Sequence, residues 1–281
     1  MCPQRVRDED DEELKSEIER VHRENFAIYG VVKAWKQLQR EGHSVARRTV
    51  RRLMRDLELQ GVRRGRKFKR TTCSDDQLHR PSELVDRQFV SSAPNRLWVA
   101  DLTYVKTAGI QAHSGWVYVA FVVDVFPRAV VGWQVSNSLR SDLATDALEM
   151  AIFARGDRDL SELVHHSDRE VQYLGIRYSE RLGEAGVVAS VGSRGDSYDN
   201  GLAESFNGLF KTELIHRQGP WRNVEHIEWA TLNYVDWFNR RRLHGEIGLV
   251  PPAEFEARYY DSHESESLAG LEGILSSQNP A

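Results

Sequence analysis

Three carboxylates stand in surroundings that suggest chemistry. Asp101 lies inside the apolar run NRLWVADLTYV, Asp168 follows two histidines and a serine in HHSDREVQY, and Glu204 opens the amphipathic stretch LAESFNGLFKTELI. A charge inside an apolar strand is costly to bury without a partner. Acids drawn from strand ends and a helix start are what hard cations such as Mg2+ or Mn2+ need, because these ions take oxygen ligands and keep positions for water and phosphate. Three such acids could hold two ions. After Glu204, Asn207 and Lys211 continue a polar stripe at i+3 and i+7, opposite Leu202, Phe206, Leu209 and Phe210. An acid, an amide and a cation in line could run from a reacting phosphate along a DNA strand. Each acid alone also has a plain structural use. Glu204 suits the first turn of a helix through the helix dipole, Asp168 could cap the next helix, and Asp101 could be an edge-facing polar residue.

Other polar residues invite chemistry less well. His165 and His166 are adjacent on a strand and point to opposite faces, so they do not readily share a metal ion. Asp124, in VVDVFPR, ends a strand and helps the turn at Pro127. Asp199 and Asn200 read as helix caps, and the loop Ser193–Asn200, with Arg194 in it, could lie against DNA.

The elements that must position these residues can be read from periodicity. NRLWVADLTYV, GWVYVAFVVDVF and RAVVGWQV are Val- and aromatic-rich runs separated by turn material, the pattern of an antiparallel meander. SDLATDALEMAIFAR reads as a helix capped by Ser141, with Leu143, Ala147, Met150 and Ala151 inward. LSELVHH is a short strand ending at Asp168, IRYSERLGEAG a helix, VVASVG a strand, and LAESFNGLFKTELI a helix. NVEHIEWATLNYVDWFNRRRLH makes a last long helix, and the chain from Asp261 onward reads as a flexible tail. Strands followed by alternating helices and strands describe a mixed α/β layered domain over 91–260.

Ahead of it, three helices are expected within residues 1–61. Leu14, Ile18 and Val21 mark the first, and Val31, Ala34, Trp35 and Leu38 the second, which Gly42 ends. Val50, Leu53, Met54 and Leu57 mark a third, capped by Ser44. That third helix turns Arg47, Arg48, Arg51, Arg52 and Arg55 outward. Two short helices across a tight turn, the second rich in arginine, read as a helix-turn-helix whose arginines meet phosphates or guanine edges. Residues 62–90 have no apolar periodicity, begin strongly basic, and read as a linker that could track a DNA backbone.

Composition bounds the rest. The chain has 281 residues, 40% of them hydrophobic and 28% charged, and a net charge of -4. From Asn25 to Arg70, however, 14 Lys or Arg face three acids. A basic N-terminal block on an acidic body suggests a polyanion-binding module tethered to another unit. The longest apolar run, Trp116–Phe126, is short for a bilayer and carries Asp124, and no signal peptide is visible. Two distant cysteines, Cys2 and Cys73, supply neither a disulfide framework nor a zinc pair and fit a cytoplasmic protein.

At these residues the sequence resembles the DDE transposases of bacterial insertion sequences, within the retroviral-integrase superfamily, and specifically the family named after insertion sequence three. The matching segments surround Asp101, Asp168 and Glu204, with 35 residues between the last two. The likeness continues through YVDWFNRRRLHGEIGLVPPAEFEARYY and back into the helix-turn-helix. It implies an RNase-H-like, integrase-type catalytic domain with a mixed five-stranded sheet flanked by helices, in which the three acids meet and bind two Mg2+ or Mn2+ ions. It further implies end cleavage and strand transfer of a DNA 3'-hydroxyl, with Lys211 gripping the element end. The implied partners are terminal inverted repeats, target DNA, further copies of the chain, and an upstream-frame protein of the same element; the implied location is the bacterial cytoplasm, at the nucleoid. The family usually has glycine after the Asp-Arg pair, where Glu170 stands here. The competing reading is a DNA-binding regulator with a silent nuclease fold, which loss of any of the three acids would favour; all three are present.

Overall fold

The computed structural model describes residues 3–63, 91–108, 115–156, 158–167, 173, 175–191 and 201–277. Asp168, Glu170, Arg194, Asp199, Asn200 and most of the basic linker lie outside the described residues.

Helices α1 (Pro3–Glu24), α2 (Val31–Arg40) and α3 (Arg47–Asp56) form the first unit. Their apolar stripes close on one another: Ile18, Val21, Ala34, Leu38, Val50, Leu53 and Met54 are all buried. Gly42 adopts a left-handed φ of 93° directly after α2, a conformation that glycine takes without steric cost. The expected cap at Ser44 is not used. The helix starts three residues later, with Ala46 at the N-cap and no side-chain cap, because Val45 is drawn toward α2, where its carbonyl accepts from Trp35 Nε1 at 2.9 Å.

This unit is more than tethered. Trp237 Nε1 donates to Asn25 Oδ1 at 2.9 Å. Tyr29 donates to the carbonyl of Arg241 at 3.1 Å and accepts from the Leu243 amide at 2.8 Å. Phe26 packs on Trp237 with ring centroids 5.0 Å apart, and Arg40 pairs with Glu254. One apolar cluster runs from Ile18 and Leu53 through to Trp237 and Phe238. A basic linker reads as a tether because linker composition carries no record of what the flanking units bury against each other.

The second unit is built on a five-stranded sheet in the order β3-β2-β1-β4-β5. Strands β1 (Leu97–Lys106), β2 (Trp116–Asp124) and β3 (Ala129–Ser136) are antiparallel neighbours, as the meander pattern predicts. Strands β4 (Val164–Ser167) and β5 (Val188–Val191) add in parallel on the other side of β1. Alternation along β1 sorts its side chains between two layers. Leu97, Val99 and Val105 join the cluster on one face, and Trp98 and Ala100 join α4 (Ser141–Arg155) and α5 (Ile176–Glu184) on the other. Helix α4 lies so close to β3 that a Cβ at Gly132 would stand 2.0 Å from the Ala147 carbonyl oxygen.

Two details of α4 differ from expectation. Ser141 is its first residue, with Arg140 at the N-cap, and Met150 is exposed, because α4 already fills its contact with the sheet through Ala144, Ala147, Leu148 and Ala151.

Helix α6 (Gly201–Phe210) passes into a π turn (Lys211–Ile215) and a final turn, α7 (His216–Gln218), where the sequence reads as one regular helix. Helix α8 (Val224–Arg240) begins at Asn223, whose Oδ1 accepts from the His226 amide at 3.1 Å. Its Leu232 is exposed. Helix α9 (Pro252–Ser277) continues through the segment read as a tail, since Glu, Ala and Leu support a helix and no proline interrupts it. Among the described residues, no helix is long and apolar enough to cross a membrane.

Candidate active site

Asp101 lies midway along β1, opposite Phe121 on β2. Directly opposed residues share a face, and on this face Phe121 meets Phe206 and Phe210 of α6 edge to face, with centroids 4.7 and 4.9 Å apart. These apolar contacts seat α6 against β1 at the aspartate. The polar face of α6 completes the meeting: Asn207, only 7% exposed, donates from Nδ2 to Asp101 Oδ2 at 2.9 Å and to the Leu102 carbonyl at 3.4 Å. The other carboxylate oxygen, Asp101 Oδ1, accepts from the Leu102 amide at 2.9 Å. The carboxylate is thereby held in one orientation.

Glu204 is one turn before Asn207 on α6 and is partly exposed. Asp168 lies outside the described residues. The residue before it, Ser167, pairs in register with Ala100, the residue before Asp101. The described structure thus brings Asp101 to the helix of Glu204 and leads β4 toward the same level of the sheet.

Asn207 does not face a DNA surface, as its place in the polar stripe suggests. It is buried against Asp101, and its Oδ1 has no hydrogen-bond partner among the described residues. The opposite amide orientation would aim an oxygen at the carboxylate, so the exchange does not relieve the orphan. A buried acceptor beside a carboxylate suits a cation or a proton donor. Lys211 stands where α6 enters the π turn, with Nζ 4.4 Å from the centroid of the Tyr104 ring.

The histidines before Asp168 are packing residues. His165 is buried against the Tyr178 hydroxyl, and burial pushes its imidazole down to about 4. His166 turns to the other side, where Nδ1 pairs with Ser190 Oγ at 3.0 Å. Asp124 ends β2 and accepts from the Phe126 amide at 3.1 Å, as read from its turn, but it does more. It also accepts from the Asn95 amide and from Arg155 Nη2, both at 2.9 Å, while Arg155 Nη1 reaches Glu256 of α9 at 2.5 Å. Burial, partly opposed by Arg155, pushes the Asp124 carboxyl up to about 6.

On α3, Arg47, Arg48, Arg51 and Arg55 are exposed. Arg52 is not available in the same way. Both oxygens of Asp11 on α1 accept from its Nη2 at 2.8 Å, so it ties the third helix to the first. Sequence reading placed it with its neighbours because an α-helical wheel cannot reveal a partner supplied 41 residues away.

Residues 9–67 match the HTH-like domain family, and residues 91–197 and 185–252 match two integrase core domain families. The chain is 53% identical over 253 residues to a putative transposase for insertion sequence element IS986/IS6110 of Mycobacterium tuberculosis, covering 89% of each chain. It is 51% identical to the transposase for insertion sequence element IS629 of Shigella sonnei, covering 92% of this chain and 84% of that one. Against transposase InsF for insertion sequence IS3A of Escherichia coli, identity is 32% over 81% of this chain and 76% of that one. A looser likeness is to the HTLV-2 integrase catalytic core domain in complex with magnesium: 18% identity, 59% of this chain, 99% of that one, and a TM-score of 0.46.

Proposed function

The chain belongs to the insertion sequence three family of DDE transposases, and on that premise we propose that Asp101, Asp168 and Glu204 form its metal-binding catalytic site. It is a DNA transposase, a polynucleotidyl transferase of DNA transposition and integration, with an RNase-H-like integrase fold.

Integrase-like folds generally use divalent metal ions, and this donor set fits Mg2+ or Mn2+, being made of carboxylate oxygens beside the unsatisfied amide oxygen of Asn207. When bound, two such ions supply Lewis-acid stabilisation of the attacking and leaving oxygens in an in-line displacement at phosphorus. The chain's own residues do the positioning. Asn207 and the Leu102 amide fix the Asp101 carboxylate, and α6 carries Glu204 to the same strand. Lys211 offers a cation to a phosphate of the element end. The nucleophile is water in end cleavage and the DNA 3'-hydroxyl in strand transfer, so no protein nucleophile is required. Exposed Arg47, Arg48 and Arg51 contact phosphates or base edges from α3. Arg194, in the same reading, lies along the DNA. The reactive complex pairs two ends and therefore needs more than one copy of the chain. An upstream-frame product of the element is a candidate companion, in the cytoplasm at the nucleoid.

The observation that carries this reading is the Asn207 bond to Asp101, one helical turn from Glu204. The test uses short duplexes ending in the element's terminal inverted repeat, incubated with the full chain. Nicked and joined products are expected with Mg2+ or Mn2+ and none after chelation, while DNA retention persists in both. Retention without products under either ion would favour the silent regulator instead.

A further inference from the structure

On the side of α6 turned away from Glu204, the two units meet around a cleft of about 750 Å³. Leu202, Ser205 and Leu209, spaced i, i+3 and i+7, give it one wall, and Phe238 of α8 lines it as well. Lys33 of α2 enters from the first unit, Arg128 from the turn between β2 and β3, and Glu246 from the loop after α8. The cations are unequally served. Arg128 Nη2 reaches Glu246 at 3.4 Å, and the Glu246 side chain is 76% exposed, so that pair is a loose one. Lys33 is partly buried and has no ion pair among the described residues. Its Nζ lies 5.5 Å from the centroid of Tyr29, a ring whose hydroxyl is already engaged by the Arg241 carbonyl and the Leu243 amide. Burial, and then the nearby Arg242 guanidinium, push the Lys33 ammonium down to about 8. Arg242 also lines the cleft, but its charge is already met by Glu213.

We propose that this cleft is a phosphate site, in which one phosphate group is held between Lys33 and Arg128 and ties the helix-turn-helix unit to the catalytic unit. An ammonium half-buried beside a guanidinium is unfavourable in the empty fold, and an anion removes that conflict. A phosphate suits the cleft better than a carboxylate. One carboxylate is already present in Glu246, and it leaves Lys33 unpaired. A tetrahedral group presents oxygens to the Arg128 fork and to the Lys33 ammonium together. The first turn of α6 adds to the field, since Gly201 and Leu202 border the cleft and the N-terminal end of a helix favours negative charge. The site is independent of the reading of the acids, because Glu204, Asn207 and Lys211 occupy a different face of α6. Helix α2 packs in one cluster with α3, so an occupied cleft fixes the arginines of α3 relative to the catalytic sheet. The phosphate comes either from the backbone of a bound DNA strand or from free phosphate, and the two sources are separable.

The test follows thermal unfolding of the full chain in inorganic phosphate and in chloride at matched ionic strength. Wild type should unfold about 2–4 °C higher in millimolar phosphate. Lys33→Met and Arg128→Gln should each lose most of that shift. Lys33→Met should unfold no earlier than wild type in chloride, because it breaks no ion pair. Glu246→Gln releases Arg128 and should lower the phosphate concentration needed about two- to threefold. Retention of duplexes ending in the inverted repeat, measured against salt, identifies the source. If a strand phosphate occupies the cleft, Lys33→Met should reduce the log–log salt slope by about one, with or without a thermal shift in phosphate. Loss of the thermal shift with an unchanged slope assigns the site to free phosphate. A shift that survives both cation variants is a general salt effect and overturns the site. Equal unfolding of wild type in phosphate and chloride, with a salt slope that Lys33→Met leaves unaltered, overturns it as well. A Lys33→Met chain that changes only its oligomeric state would give the cleft to a second copy and also overturn the proposal.

Discussion

Asp101→Asn is expected to lower end cleavage and joining at least about a thousandfold while leaving the affinity for the inverted repeat within a few fold. The substitution keeps the size of the side chain and its bond from the Leu102 amide, but it removes the negative charge that a divalent ion needs. It also sets one amide against the Asn207 amide, whose Nδ2 now donates to Asp101 Oδ2 at 2.9 Å. Asn207→Ala separates orientation from ligation. The carboxylate remains but loses its tether, and activity is expected to fall about 10- to 100-fold, the usual cost of removing a residue that orients a ligand. Raising the Mn2+ concentration should recover part of the Asn207→Ala loss and none of the Asp101→Asn loss. Gel retardation checks binding, and quantified joining products check the chemistry.

The largest effect on stability is expected in the π turn. Glu213, buried there, accepts from Arg242 Nη2 at 2.6 Å, from Arg242 Nε at 3.0 Å and from the Tyr234 hydroxyl at 2.8 Å. The Arg242 guanidinium also lies 5.2 Å from the Phe238 ring centroid, and both charged side chains are almost fully covered. Each ion has been taken out of water, and each is the other's counter-charge, with the Tyr234 hydroxyl and the Phe238 ring adding neutral partners. Glu213→Ala should therefore destabilise the chain by about 3–5 kcal/mol, because it strands a buried guanidinium. Thermal unfolding should shift down by roughly 10 °C. Replacing both partners together with apolar residues of similar volume should recover much of the loss, since desolvation of the pair is removed along with its attraction. A double variant no more stable than the single one would argue against this account. The consequence reaches the site, because Glu213 is on the continuation of the helix that carries Glu204, Asn207 and Lys211.

What the sequence revealed and what it withheld follow from the range of the forces involved. Local periodicity marked β1, β2 and β3 as a meander, because alternation and turn residues are properties of neighbouring positions. The apolar stripes of α1–α3 were visible for the same reason. Asp101 and Glu204 stood out because charge conflicts with its surroundings in one case and opens a helix in the other. Partners distant in the chain were not legible. Nothing near Arg52 announces Asp11, and nothing near Asn25 announces Trp237. Asn207 was placed on the right helix but given the wrong neighbour: a stripe on a helical wheel does not say which side meets the sheet. The segment after Asp261 read as a tail because a polar composition serves a helix equally well.

The most direct test of the three-acid site is Asp168→Asn, assayed for binding and joining on the same preparation with duplexes ending in the inverted repeat. Ser167 pairs with Ala100, the residue that follows each of them in sequence is an aspartate, and the account requires both. It predicts bound DNA with joining in Mg2+ reduced at least about a thousandfold. An Asp168→Asn chain that joins ends as fast as wild type would contradict it.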